Sequence, residues 1–154
     1  MAPLTENQLA EFVALLKTEG RRSVLGLDCG VGADGLRFVR AGIHFTGVDP
    51  SEENIHSARA RGLVATVAHA GSLPFADSAF PSVWAVGALA GLAPAQWDDV
   101  VRELGRVTAP GGPIAVVLPG EALPEPGPHR QGLPEPGPGG GGEGGGFTVL
   151  RSPA

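Results

Sequence analysis

The sequence holds a single cysteine, Cys29, so it cannot close an internal disulfide. It also lacks any block of basic residues: 11 Lys and Arg stand against 16 Asp and Glu, for a net charge of -5. That balance argues against nucleic acid as a main partner, because phosphate backbones are held by clustered cations. No run approaches the roughly 20 apolar residues that cross a membrane. The first residues bring Glu6 and Glu11 where a signal peptide would have a basic start before an apolar run, so no leader is read. A soluble, cytoplasmic protein without membrane partners is the expectation.

Glycine and proline are abundant instead, 25 and 15 residues, and most of the excess falls after Leu118. Leu123-Pro124-Glu125-Pro126-Gly127-Pro128 recurs as Leu133-Pro134-Glu135-Pro136-Gly137-Pro138, and Gly139 to Gly146 is glycine broken only by Glu143. Such a segment removes backbone donors and maximises chain entropy, so it cannot repay the cost of ordering. The expected organisation is one folded domain over 1–118, a disordered Pro/Gly-rich linker over 119–146, and a short strand and tail over 147–154.

Within the first 118 residues, the stretch from Ser23 to Asp49 organises the rest. An apolar run, Val24 to Leu27, breaks into Asp28-Cys29-Gly30-Val31-Gly32-Ala33-Asp34-Gly35. A helical segment follows to Ala41, Gly42 stops it, and Ile43 to Val48 delivers Asp49. This reads as strand, glycine loop, helix, strand, and a carboxylate at the second strand's tip, the unit that holds the ribose of a nucleotide-like cofactor. Glycine lets a ligand approach the backbone, and an ionised carboxylate accepts strong hydrogen bonds from both ribose hydroxyls. The loop is also literally G-x-G-x-x-G, with Asp49 lying 19 residues after Gly30, so a dinucleotide fingerprint competes on these residues alone.

Upstream, Thr5 and Gln8 form a capping-box pattern, and Leu9, Phe12, Val13 and Leu16 make a helical stripe. That helix either packs on the sheet or lies over the cofactor as a lid. Downstream come a helix from Ser51, a strand over Leu63 to Ala68, a loop, and a strand around Val83 to Val86. Then follow a helix with the stripe Trp97, Val100, Val101 and Leu104, and a strand over Ile114 to Leu118. Alternation of this kind predicts a parallel sheet covered by helices.

Val24-Leu25-Gly26-Leu27-Asp28-Cys29-Gly30-Val31-Gly32 and Gly47-Val48-Asp49-Pro50-Ser51 resemble the first two motifs of the class I S-adenosylmethionine-dependent methyltransferases, VLDLGCGTG and VDxS. Leu73, Pro74, Phe75 and Phe80 resemble the family's LPF loop region, and Arg102 to Gly112 its RELxRVLxPGG segment. The resemblance implies a Rossmann-like, doubly wound α/β fold with a mostly parallel sheet. The family closes with an antiparallel strand pair, and with room for one strand here that pair is expected to be incomplete. S-adenosylmethionine is the implied cofactor, held by Asp28, Cys29, Gly30, Gly32, Asp49, Pro50, His69 and Ala70. The implied partner is a small-molecule methyl acceptor; no catalytic base and no metal ligand is assigned. His69 stands where the family has an Asp that accepts the adenine amino hydrogen; it is read either as a neutral imidazole substituting as acceptor or as a plain loop histidine.

The chain departs from the family at Gly26, where an acid is usual, and at Asp28, where glycine is usual. His69 and Pro81 replace further acids. Residues two apart on a strand share a face, so Asp28 is expected either to take over the missing acid's role or to obstruct the loop. Under obstruction, restoring glycine at 28 and the acid at 26 should strengthen cofactor binding. The readings carried forward are a methyltransferase and a degenerate relative without transfer activity.

Overall fold

The computed structural model describes residues 4–88, 92–117 and 147–153. Its sheet runs β3 (Val64–Val67), β2 (His44–Asp49), β1 (Ser23–Gly26), β4 (Val83–Ala85), β5 (Pro113–Val117), β6 (Phe147–Arg151). The first five strands are parallel, and β6 runs antiparallel against β5 as one strand at that edge. The order reverses beside β1, since the chain moves outward to β3 on one side and to β5 on the other.

Alternation along the strands sends side chains into two cores. Val24, Phe45, Ala65, Trp84 and Ala115 face helices α1 (Leu4–Thr18), α2 (Ala33–Arg40) and α3 (Glu52–Ala60). Leu25, Val48, Val83, Ala85, Ile114, Val116 and Leu150 face helix α4 (Pro94–Val107). The α1 stripe Leu9, Phe12, Val13 and Leu16 is buried in the first core, with the Phe12 ring 5.3 Å from Trp84. The helix therefore packs on the sheet. It begins at Leu4, which puts Thr5 inside its first turn rather than at the cap. Gly20 ends it in the left-handed region at φ 71°.

The strand after the α2–β2–α3 unit is shorter than expected, and no helix joins β3 to β4. Residues 68–82 cross instead as a loop lying along α4. The expected linker, 119–146, lies outside the described residues. Among the described residues no helix is long and apolar enough to cross a membrane.

Besides its ladder with β5, β6 is held by charge to the turn that follows α1. Arg151 donates to Glu19 at 2.8 Å and to the Gly111 carbonyl at 3.2 Å, and Arg21 donates to the same carboxylate at 2.8 Å. The Glu19 carboxyl is drawn down to about 2, first by the Arg151 hydrogen bond and, after the opposing effect of burial, by Arg21. A lowered carboxyl stabilises the fold fully above its unfolded value near 4.5 and loses that contribution as pH falls toward 2.

Val117 and Phe147 are paired across β5 and β6. Removing Glu121 to Gly146 would leave Leu118, Pro119 and Gly120 between them, enough to reverse an antiparallel pair. Loop closure entropy also changes slowly with length. The shortened protein should melt within about 5 °C of the full chain, the shift that ~1 kcal/mol produces in a domain of this size. A larger fall in a thermal scan would show that the deleted residues contribute to the core.

Candidate cofactor site

The site lies where the sheet order reverses, outside the C-terminal end of β1, the position at which open α/β sheets take ligands. β1 ends at Gly26, and Leu27 still donates to the Trp84 carbonyl at 2.9 Å. Cys29 then donates to the Val48 carbonyl at 2.9 Å, turning the chain across β2. Gly30 and Gly32 follow at φ 58° and 101°, conformations that L side chains rarely adopt. A Cβ on Gly30 would meet nothing, so backbone here is open to a ligand. A Cβ on Gly32 would overlap Leu63, so that glycine serves packing between α2 and the segment entering β3.

Asp49, 6% exposed, sits at the tip of β2. Its Oδ2 accepts the Gly30 N–H at 2.9 Å; its Oδ1 accepts the Ser51 N–H at 2.9 Å and Asn54 Nδ2 at 3.3 Å. Three of the carboxylate's roughly four acceptor directions are thus used by the protein. The helix cap itself is Ser51, whose hydroxyl accepts the Asn54 N–H at 3.1 Å. Pro50 is exposed between them.

The other expected contacts fall around this centre. Cys29 is half-buried, and burial, reinforced by the Asp49 charge, pushes its thiol up to about 11. At neutral pH it packs as an uncharged group. His69 is exposed and Ala70 buried, at the start of the loop after β3. The His69 Nδ1 accepts the Gly71 N–H at 3.0 Å, which leaves Nε2 to carry the proton of a neutral ring. The free nitrogen is then a donor rather than the acceptor that the first of the two sequence readings requires.

Asp34 is a first-turn residue of α2, where its carboxylate accepts the Trp84 indole N–H at 3.0 Å. Sequence reasoning missed the roles of Asn54, Glu103 and Arg106. Arg106 Nη1 donates to the Phe75 carbonyl at 2.6 Å, and Glu103 accepts the Leu73 N–H at 2.7 Å. Both lie in the Arg102 to Gly112 segment, whose likeness to a motif was visible while its contacts were not.

Asp28 corrects the strand argument. It lies beyond the end of β1, at φ 49°, so the two-residue strand period does not relate it to Gly26. Although its side chain reaches solvent, its carboxyl is raised above the ordinary range, first by partial desolvation against the loop and next by the Asp49 charge; His69 offsets part of this.

Residues 24–112 match the family described as "Methyltransferase domain", which is more than half of the chain. This chain belongs to the class I S-adenosylmethionine-dependent methyltransferases. It is similar to the 27-O-demethylrifamycin SV methyltransferase of Amycolatopsis mediterranei, with 33% identity over 102 residues, 60% of this chain and 37% of that protein. The methyltransferase GfsG of Streptomyces halstedii is 30% identical over 125 residues, 75% of this chain and 44% of its own length. Among solved structures, a SAM-dependent methyltransferase of Methanosarcina mazei superposes with a TM-score of 0.62 at 26% identity, covering 65% of this chain and 53% of that one. The chain spans less than half the length of these two curated relatives.

Membership implies S-adenosylmethionine as the cofactor. The residues fit it: open backbone at Gly30 stands beside a buried carboxylate that holds the loop in place. Gly26 departs from the family for a reason that lies in the core. A Cβ there would overlap the Phe45 ring, which is 2% exposed and stacked on Phe38 at 5.9 Å.

The two exchanged positions therefore respond in opposite ways. Asp28→Gly should raise stability by about 1 kcal/mol, because a left-handed non-glycine position is relieved. Gly26→Asp should lower it by about 1–3 kcal/mol from overpacking alone, and burying a carboxylate adds to that. Restoring the family's order at both positions would then unseat Phe45 rather than repair the site. Urea melts of the three variants check both signs; a double variant as stable as Asp28→Gly would show that Phe45 moves aside freely.

Proposed function

We propose that this protein binds S-adenosylmethionine and transfers its methyl group to a small-molecule acceptor. One observation carries the reading. At the point where the sheet order reverses, a buried carboxylate and open glycine backbone are held together by the 2.9 Å bond between Asp49 and Gly30. A ribose diol fits the direction the carboxylate keeps free, and the amino-acid end of the cofactor fits the loop after β1.

The bound cofactor supplies a methyl group on a positively charged sulfur; the acceptor's lone pair bonds to that carbon as the carbon–sulfur bond breaks, and the pair remains on sulfur. The chain's own contribution is orientation and exclusion of water, so the reading needs no general base. The Asp28 carboxyl is raised first by burial and next by the negative charge of Asp49. A cationic ligand end would relieve that repulsion. The named substrate of the A. mediterranei relative, a demethylated rifamycin, supports a natural-product-sized acceptor.

The degenerate reading retains one specific support: an acidic side chain at 28 in a left-handed backbone position, where the family motif usually has glycine. Thermal stabilisation separates the two. Ligand that binds only the folded state at 100 times its dissociation constant adds about 2.7 kcal/mol. S-adenosylmethionine should therefore raise the melting temperature of the wild type, and an unmoved melt would favour the degenerate reading.

Asp49→Ala should abolish that shift. It should also lower the ligand-free stability by about 0.5–1.5 kcal/mol, since the part-buried Gly30 and Ser51 N–H groups lose their acceptor. Calorimetric titration at a temperature where the variant is folded measures the first effect. Wild-type affinity in that variant would sink the assignment of Asp49.

A further inference from the structure

One polar stripe of α4 is aimed along the loop that follows β3, and the functional reading makes no use of it. Asp99, Glu103 and Arg106 succeed one another at four and three residues, one face of a helix. A Cβ on Gly71 would stand 3.2 Å from the Asp99 Cβ, so the turn from His69 to Ser72 rests against the first of them. Glu103, 9% exposed, accepts the Leu73 N–H at 2.7 Å. Arg106 then donates to the Leu73 carbonyl at 3.0 Å, to the Phe75 carbonyl at 2.6 Å and to the Asp77 carboxylate at 3.1 Å. The pair is closed on itself, Arg106 Nε to Glu103 at 2.6 Å and Nη2 to Glu103 at 3.0 Å. The Arg106 backbone carbonyl accepts the Ser78 N–H at 2.7 Å, completing the row.

These contacts read the loop's backbone at 73, 75 and 78 rather than its side chains, apart from Asp77. Between the His69–Ser72 bridge and the Phe80–Thr108 bridge the loop has no strand or helix of its own, so side chains of α4 supply the fixed partners that a ladder would otherwise provide there. Its position is next to the site: β3 neighbours β2, and His69 lies close enough to act on the Asp28 carboxyl. A nucleoside whose ribose sits at Asp49 on β2 and whose amino-acid end lies over β1 must carry its base on the β3 side, where this loop begins.

We infer that Glu103 and Arg106 are positioning residues for the cofactor's base, fixing the loop from His69 to Asp77 from behind through its own backbone. This rests on the functional reading above. Arginine is required for its fork: Nη1 and Nη2 each reach a different carbonyl while Nε stays on Glu103, a geometry a lysine ammonium cannot reproduce. The Glu103 carboxyl is held below its ordinary range, by the Arg106 hydrogen bond first and by the Leu73 N–H after the opposing effect of burial, so the clamp stays charged through neutral pH.

The test uses the full chain as wild type, Arg106→Lys and Glu103→Gln, titrated calorimetrically with S-adenosylhomocysteine and S-inosylhomocysteine, which differ only in the base. Arg106→Lys is expected to weaken S-adenosylhomocysteine about tenfold, and to bring the affinity ratio of the two ligands toward one. General loosening of the fold would weaken both ligands alike and leave the ratio unchanged. Hydrogen exchange should speed at the Leu73 and Ser78 amides while the β1, β2 and β5 amides keep wild-type rates. Glu103→Gln keeps an acceptor for Leu73 and should fall between the two; it carries the test if Arg106→Lys does not fold. An unchanged ratio in a folded variant overturns this inference alone. A wild type that takes neither ligand overturns the functional reading and this inference with it.

Discussion

The carboxylate of Asp49 ties together three pieces of chain that have no ladder in common. Through Gly30 it holds the loop leaving β1, through Ser51 and Asn54 it holds the start of α3, and its own backbone ends β2. Buried N–H groups without partners are costly, so these bonds fix the loop's path before any ligand arrives. The same group is the acceptor proposed for a ribose. Structure and binding thus compete for one side chain, and the roughly one remaining acceptor direction sets how much a ligand can draw from it.

Phe45 imposes the second constraint. Its ring lies where Cβ atoms on Gly26, Gly35 and Gly47 would stand: it would overlap the first and come within 2.7 and 2.8 Å of the others. Three glycines from β1, α2 and β2 are therefore one packing solution around a single aromatic side chain. An acid at 26 and a large ring at 45 exclude each other in this arrangement. The departure from the family motif at that position is a volume exchange, while the departure at Asp28 is a separate matter of backbone conformation and charge.

Much of the fold was legible because strand period, glycine stops and helical stripes all pointed one way. The α1 stripe, the Gly20 and Gly42 stops and the single terminal strand were all found where the sequence put them. Asp49 and Gly30 could be singled out because a carboxylate after an apolar run and glycines before a helix are local signals. The meaning of Gly26 was not local: it depends on Phe45, 19 residues away in sequence and adjacent in space. Asp28 was misplaced because one residue decides where a strand ends, and period arguments fail beyond that end. The His69 tautomer depended on the Gly71 N–H, a turn contact that no residue pattern announces.

Apolar packing and polar contacts divide the work along the sheet. The two cores fix strands and helices through volume, and any side chain of the right size there is tolerated within limits. The loop after β3 packs Ala70, Leu73, Phe75 and Phe80 on the core beside α4, and a few side chains add bonds to the backbone of both ligand-end loops: Asp49 for the loop after β1, Glu103 and Arg106 for the loop after β3. Backbone contacts of that kind do not depend on the loop's own side chains. Contacts of this kind hold the geometry of the candidate site through backbone, so its shape does not rest on the glycine pattern alone.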